Sequence, residues 1–337
     1  MVTIILAILI FGLLILAHEL GHFLAAKWVG IKVHEFAIGM GPAVVSKPFG
    51  ETRYSLRLFP IGGFNKMAGM EPGDENNPRG FNAKSIPQRT AVIGAGSLMN
   101  FVLAVILFIF VFAVLGVPSN SNVIGKVSPN SPAWEAGLQS GDKIVAIEGQ
   151  KVTTWGDLVS VIHNGAGEQL LFSIERKGEA FSVEITPQLD AERELGLIGI
   201  RQSVERKGLV NSVVLGVTNT VGIIAAIFSG LFKMLLGTAP AEVAGPVGIV
   251  TILDDVARFG LANVLNFAAI LSLNLGLINL FPVPALDGSR LVFLLFEGLR
   301  GKPVDPVKEN VIHLIGFALL IGLMIFITYQ DILRILG

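Results

Sequence analysis

LILAHELGHFLAAKW, residues 14–28, is the stretch that decides how this chain is read. Everything before it, Met1 to Ala17, is uncharged and strongly apolar, without proline, so a helix runs through to His18, Glu19 and His22. His18 and His22 are four residues apart and share one helix face. Two imidazoles on one face can share a Zn²⁺, with the carboxylate beside the first acting on a water at the metal. An ionisable trio inside an apolar helix is expensive to keep in a membrane, which points to function. The plain alternative is a chance HExxH, two satisfied histidines near a helix end.

Composition places the chain in a lipid bilayer. Of its 337 residues, 52 % are hydrophobic and 15 % charged, and mean hydropathy is +0.68. Soluble domains carry about 25 % charged residues. A net charge of −1 gives no reason to expect nucleic acid as a partner. With no cysteine, disulfides and thiolate metal sites are excluded, so a metal must be held by His, Asp or Glu. The first apolar run lacks the basic start and cleavage site of a signal peptide, and reads as a retained span.

Four spans are expected, at about 2–23, 98–117, 264–283 and 310–329, each near the 20 residues a bilayer requires. Between the first two, ETRYSLRLFPIGGFNKM (51–67) alternates Tyr54, Leu56 and Leu58 with Arg53, Ser55 and Arg57. That period of two, closed by Gly62-Gly63, predicts a hairpin. Residues 70–80 read as a polar, turn-rich excursion. From Ser119 to Pro187 the composition is that of a soluble α+β domain, with Ser131 and Thr154 as helix N-caps. Residues 208–232 are uncharged yet scattered with Asn, Ser, Thr and Gly, and an interfacial or re-entrant helix is expected there. AEVAGPVGIV (241–250) reads as a glycine-proline loop, and His313 as a structural histidine. The expected division is an N-terminal membrane core at 1–117, an inserted domain at 118–190 and a C-terminal membrane core at 191–337.

A catalytic zinc takes three protein ligands. Asp287 is the strongest third candidate, because it ends a span that carries Asn274 and Asn279 and breaks at Pro282. An ordinary Asp-Gly turn is the other reading. His18 and Asp287 reach the same membrane face only if residues 208–232 do not cross. Nine Lys and Arg lie in 27–89 and four in 290–308, all on the His18 side, so the positive-inside rule turns that side to the cytoplasm.

HELGH, FAIGMGP, PIGGFNKMAG, NAKSIPQRTAVIGAGSLMNF, AGPVGI and NLGLINLFPVPALDG, in this order, resemble the site-2 proteases, and within them the bacterial RseP-like intramembrane zinc metalloproteases with a PDZ domain. The resemblance covers essentially the whole chain. Ser97 and Ser289 depart from the usual proline and glycine without removing a ligand. The resemblance implies an α-helical polytopic membrane protein with a membrane-associated β-hairpin and one inserted PDZ domain. It implies Zn²⁺ held by His18, His22 and Asp287, with Glu19 as general base. Asn279, Pro282 and Asn274 are implied to hold substrate, with the hairpin around Gly62 and Gly63 offering a strand edge. The expected substrates are transmembrane segments of single-span proteins, such as an anti-sigma factor or remnant signal peptides, in a bacterial cytoplasmic membrane. The active site is expected toward the cytoplasm, with the PDZ domain outside, contacting substrate or a peptide C-terminus. Two other classes fit parts of the sequence. A non-catalytic PDZ membrane scaffold leaves HELGH unexplained, and a transporter predicts internal repeats that the halves do not show.

Overall fold

The computed structural model describes residues 2–70, 74, 77–190, 195–238 and 244–336. Five residues of the polar stretch 70–80 and the first three of 241–250 lie outside them. The chain forms two compact units, Met1–Val111 with Leu209–Gly337, and Phe112–Gly208.

In the first unit, α1 (Val2–Trp28) runs unbroken through HELGH. Its buried positions Ala7, Ile10, Leu14, Ala17, Gly21, His22 and Ala26 fall on one helical stripe. β1 (Val33–Phe49) and β2 (Thr52–Met67) form the hairpin. Its turn lies at Gly50-Glu51, where Phe49 pairs with Thr52 and Gly50 has φ +60°, and not at Gly62-Gly63. Gly62 instead bends β2 at φ +80°, and Gly39 and Gly41 bend β1 at +86° and +84°. The bends fold the two long strands so that Glu35–Ile38 lies between two stretches of β2, Arg53–Leu56 and Gly63–Lys66. Thr52–Leu56 is flanked on its other side by Val45–Phe49, which leaves it interior to the sheet. Gly63–Met67 pairs only with the start of β1 among the described residues, so it is an edge.

α2 (Ile86–Phe110) starts where Gln88 Oε1 accepts from the Ser85 N–H, with Pro87 in the first turn, and ends in a π turn at Val111–Leu115. Gly21 lets α1 approach it closely, since an added Cβ would stand 2.2 Å from the Ala95 carbonyl oxygen.

The second unit is an antiparallel α+β domain. Short strands β3 (Val117–Pro118) and β4 (Ile124–Val127) precede α3 (Pro132–Glu135). β5 (Lys143–Ile147), β6 (Gln150–Lys151), α4 (Trp155–Asn164), β7 (Leu170–Arg176) and β8 (Glu179–Ile185) come next. The sheet order is β6-β5-β7-β8. Its core holds Ile124, Ile144, Ile147, Leu158, Phe172 and Ile174. Ser131 Oγ accepts from the Trp134 N–H and Thr154 Oγ1 from the Asp157 N–H, the two N-caps read from the sequence. β9 (Gln188–Asp190) pairs with β10 (Leu195–Leu197), and β11 (Ile200–Gln202) and β12 (Val204–Glu205) return to β4 and β3. Those returning strands carry the unit past residue 190 to Gly208.

Back in the first unit, α5 (Leu209–Leu235) is one continuous helix whose buried stripe, Ser212, Gly216 and Thr220, lies in its first half. A Cβ at Gly216 would meet Ile109 Cγ1 at 3.0 Å, so the stripe sits at the C-terminal end of α2. Part of the expected loop at 241–250 is helix: α6 (Pro246–Arg258) opens on its proline, whose missing N–H costs nothing at that position. α7 (Leu261–Leu280) is next, then α8 (Asp287–Arg300), closed by Gly301 at φ +67°, and α9 (Pro306–Leu336). α1, α2 with its π turn, α5, α7 and α9 are each long and apolar enough to cross a membrane.

Side-chain contacts order the helices along the unit. Thr3 at the start of α1 donates to Asp254 of α6, whereas His18 lies beside Gly96 of α2. Ser272 of α7 donates to the Asn100 carbonyl at 2.8 Å. Asp331, near the end of α9 and buried, accepts from the Gly245 and Gly248 N–H groups at 3.3 and 2.8 Å. A carboxylate there satisfies the open donors at the start of α6. α1 and α7 therefore run from the α6 level toward HELGH, and α9 runs back.

Candidate metal centre

The helix α1 presents His18 and His22 on one face, and α8 begins with Asp287 directed at both. Asp287 Oδ2 lies 3.1 Å from His18 Nε2 and 3.2 Å from His22 Nε2, and the two imidazole nitrogens are 3.2 Å apart. A tetrahedral zinc with bonds of about 2.0–2.1 Å separates its donors by about 3.3–3.4 Å. The triangle is within a few tenths of an ångström of that spacing. Among the described residues Asp287 Oδ2 is buried without a hydrogen-bond partner, which suits an atom that receives a cation. The set of two imidazoles and one carboxylate is that of a catalytic zinc with an open fourth position.

The other ring nitrogens are held from α2. His22 Nδ1 lies 2.9 Å from the Val92 carbonyl oxygen, so it donates there and Nε2 keeps its lone pair. His18 Nδ1 lies 3.3 Å from the amide of fully buried Asn100, whose Oδ1 has no partner among the described residues. With the amide oxygen turned to His18, that oxygen accepts from Nδ1–H and frees Nε2 for a metal. α2 comes this close because of Gly96, where an added Cβ would stand 2.4 Å from His22 Nε2 and 2.8 Å from His18 Cε1.

Glu19, the neighbour of His18, is gripped by the sheet. Asn65 Nδ2 donates to Glu19 Oε2 at 2.6 Å and to the Glu19 carbonyl at 2.8 Å. Gly63 lies against the same side chain: a Cβ there would be 2.9 Å from Glu19 Cγ. The edge stretch Gly63–Met67 is thus fixed beside the carboxylate.

These groups line an open cleft of about 610 Å³. Of the residues expected to hold substrate, Asn279 and Gly63 line it. Asn274 donates back to the Ile270 carbonyl at 3.1 Å, Pro282 is exposed, and Gly62 packs on Met40, and none of these three lines it. His313, expected to be an ordinary structural histidine, does line it. Asn65 and Asn100 carried no sequence signal of their own, because their partners lie 46 and 82 residues away. α8 is tied down farther along by a two-pronged Arg89–Glu297 ion pair to α2, with the Arg89 guanidinium also over the Phe81 ring.

Comparison with known proteins gives the family. The model of peptidase family M50 matches residues 6–323. The chain is 36 % identical to zinc metalloprotease RasP of Geobacillus kaustophilus, over 96 % of each chain. It is 40 % identical to a putative zinc metalloprotease of Clostridium acetobutylicum, over 98 % of this chain and 97 % of that one. Its identity to the regulator of sigma-W protease RasP of Bacillus subtilis is 33 %, over 99 % of each. With a family match over most of its length and relatives aligned end to end, the chain belongs to peptidase family M50 and is a membrane zinc metalloprotease of the site-2 type.

Proposed function

We propose that this protease cleaves within transmembrane segments of single-span membrane proteins, using His18, His22 and Asp287 to hold zinc and Glu19 as general base. The observation that carries the reading is the triangle of three donor atoms 3.1–3.2 Å apart with the Glu19 carboxylate beside it, on a helix long and apolar enough to span a bilayer. Bound zinc supplies Lewis acidity, polarising the scissile carbonyl and lowering the pKa of water. Glu19 takes the proton of the attacking water and passes it to the leaving amine nitrogen. Asn65 keeps that carboxylate in line, and Asn100 and the Val92 carbonyl set the imidazole tautomers.

A helical substrate must unwind before its carbonyls are open to attack, which frees N–H and C=O groups in a place without water. The edge Gly63–Met67 takes up those groups by strand addition, and Asn279 offers both a donor and an acceptor. The clamp belongs to this stretch and not to Leu56 or Leu58, which precede the bend at Gly62.

Four spans, α1, α2, α7 and α9, go with this reading, α5 staying at the interface. Its start lies at the far end of α2, and Gly245, next after it, lies at Asp331 on that same end. The turn that closes α5 runs to Thr238, where its N–H donates to the Lys233 carbonyl. Fully extended, the seven residues 239–245 reach at most about 25 Å, less than the roughly 30 Å hydrocarbon core, which supports an α5 that stays on one side. With the Lys and Arg of 27–89 and 290–308 inside, the active site faces the cytoplasm and the PDZ domain lies outside, where it contacts substrate or a peptide C-terminus. The class of substrate, including an anti-sigma factor or remnant signal peptides, comes from the family resemblance.

Two experiments test the proposal. In cells carrying Glu19→Gln, membrane peptides with single spans should accumulate; an unchanged membrane peptidome removes the substrate class. Single cysteines at positions 200 and 255, in a chain with no native cysteine, should label from the same, outer side. Labelling from opposite sides would show that α5 crosses.

A further inference from the structure

The first turns of α9 carry a histidine that the mechanism above does not use. His313 Nδ1 accepts from the Ala285 N–H at 3.1 Å. A ring nitrogen that accepts carries no proton, so the ring proton sits on Nε2. Nε2 is buried and has no hydrogen-bond partner among the described residues, with Glu309 Oε1 at 3.7 Å. The Phe293 ring of α8 lies edge-on to the imidazole, 5.8 Å between centroids, so the ring is wedged between α8 and the loop ahead of it.

That loop is strained where His313 holds it. Ala285 has φ +75°, in the left-handed region that a residue with a Cβ rarely adopts, and Asp287 comes two residues later. Such a conformation is strained and persists only where the surroundings enforce it. Here α9 enforces it twice. The His313 ring fixes the Ala285 N–H, and Gly316, on the same face one turn on, presses against Pro284: a Cβ there would stand 2.2 Å from Pro284 Cβ and 2.7 Å from its carbonyl oxygen.

We propose that His313 is a positioning residue for the metal centre: through Nδ1 it holds the left-handed turn at Ala285 that aims the Asp287 carboxylate at His18 and His22. The inference rests on Asp287 being a zinc ligand, as proposed above. It makes α9 part of the site. Without the bond the Ala285 N–H loses its acceptor, the turn relaxes to an ordinary φ, and Asp287 leaves the triangle.

The test is a set of three variants of the full chain in detergent, His313→Ala, His313→Asn and His313→Gln, read by zinc affinity in competition with a chelator. Asparagine places a carbonyl oxygen where Nδ1 stands and can accept the Ala285 N–H. Glutamine places its polar atoms where Nε2 stands and cannot. Loss of a group that orients a ligand lowers metal affinity by about tenfold to a hundredfold. That loss is expected for Ala and Gln, whereas Asn should stay within about threefold of wild type, a limit that is small beside that loss. The thermal midpoints of the zinc-free Asn and Gln proteins should agree, so the pair decides even if the alanine variant fails to fold. Cleavage at saturating zinc should recover in the Gln variant, because the defect lies in holding the metal. Equal affinity in Gln and Asn, whether both intact or both weakened, overturns the proposal. Asp287→Asn is run alongside: if it leaves zinc affinity unchanged, the ligand assignment itself fails, and if it weakens affinity while His313→Gln does not, only the role of His313 falls.

Discussion

Gly96→Ala adds one methyl group at the most crowded point of the site. The new Cβ would stand 2.4 Å from His22 Nε2, 2.6 Å from His22 Cε1 and 2.8 Å from His18 Cε1. Unstrained contacts begin near 3.5 Å, so either the rings or the helix must move by about 1 Å. The His22 ring is not free to swing, because its Nδ1 is bound to the Val92 carbonyl one turn earlier on the same helix. Zinc ligation tolerates about 0.2 Å of error, and a misplacement of about 1 Å at a reacting group costs on the order of a hundredfold in rate. The expected result is a loss of tenfold or more in zinc affinity and of about a hundredfold in cleavage, with overpacking costing about 1–3 kcal/mol of stability. Gly94→Ala is the control. It lies on the same helix, and a Cβ there meets nothing within 4 Å. It should be neutral or stabilising by about 0.5–1 kcal/mol, the usual gain from replacing a helical glycine. The assay is the zinc-to-protein ratio after dialysis against graded chelator, with the rate on a single-span substrate measured on the same preparations. If Gly96→Ala keeps both the zinc and the rate of Gly94→Ala, the packing argument for the site is wrong.

Other individual contacts lead to outcomes of their own. Asn65→Leu removes the two bonds to Glu19 and should lower kcat by about ten- to a hundredfold, a part of the roughly hundred- to ten-thousandfold that a general base contributes, while zinc content stays at wild type; lost zinc would mean that the sheet supports the ligands instead. Leu56→Pro breaks a strand flanked on both sides by β1, so it should impair cleavage of helical and extended substrates equally. Phe64→Pro strikes the edge beside Glu19 and should spare a short extended peptide relative to a helical one; equal loss on both ends the clamp idea. In the inserted unit, burial acts to raise the Asp142 carboxyl, but hydrogen bonds from Arg176 and the Gln139 N–H outweigh it and hold it below the usual range. A depressed carboxyl contributes stability above the unfolded pKa of about 4 and loses it as pH falls through the lower folded value. Asp142→Asn should therefore lower the stability of a 112–208 fragment by about 2 kcal/mol at pH 7 and flatten its acid dependence; an unchanged profile would deny Asp142 that role.

What was legible in the sequence is what has a period or a fixed spacing. HELGH reads directly because helix geometry alone puts His18 and His22 on one face, and Asp287 reads because a carboxylate at the end of an Asn-bearing span has few other uses. The Ser131 and Thr154 caps read because capping is local. Gly62-Gly63 misled, since glycine signals a turn, a bend and a close approach with the same letter. Here Gly62 bends the strand and Gly63 makes room for Glu19, while the turn fell to Gly50. Pro246 resembled a loop residue and opens a helix, because the residues after it keep a helical course and a proline fits the first turn. Asn65, Asn100 and His313 act through partners 28 to 82 residues away, and no local pattern encodes such a pairing. His313 in particular looks like any polar residue at the start of a span until Ala285 is seen beside it.

The most direct test of the whole account sets purified wild type against Glu19→Gln on one single-span substrate, with zinc measured in both. In the proposed mechanism Glu19 acts on the attacking water and does not ligate the zinc. The account predicts wild-type zinc content in the variant and cleavage reduced by several orders of magnitude, since general-base catalysis and water activation fail together. Cleavage by Glu19→Gln at the wild-type rate would contradict it.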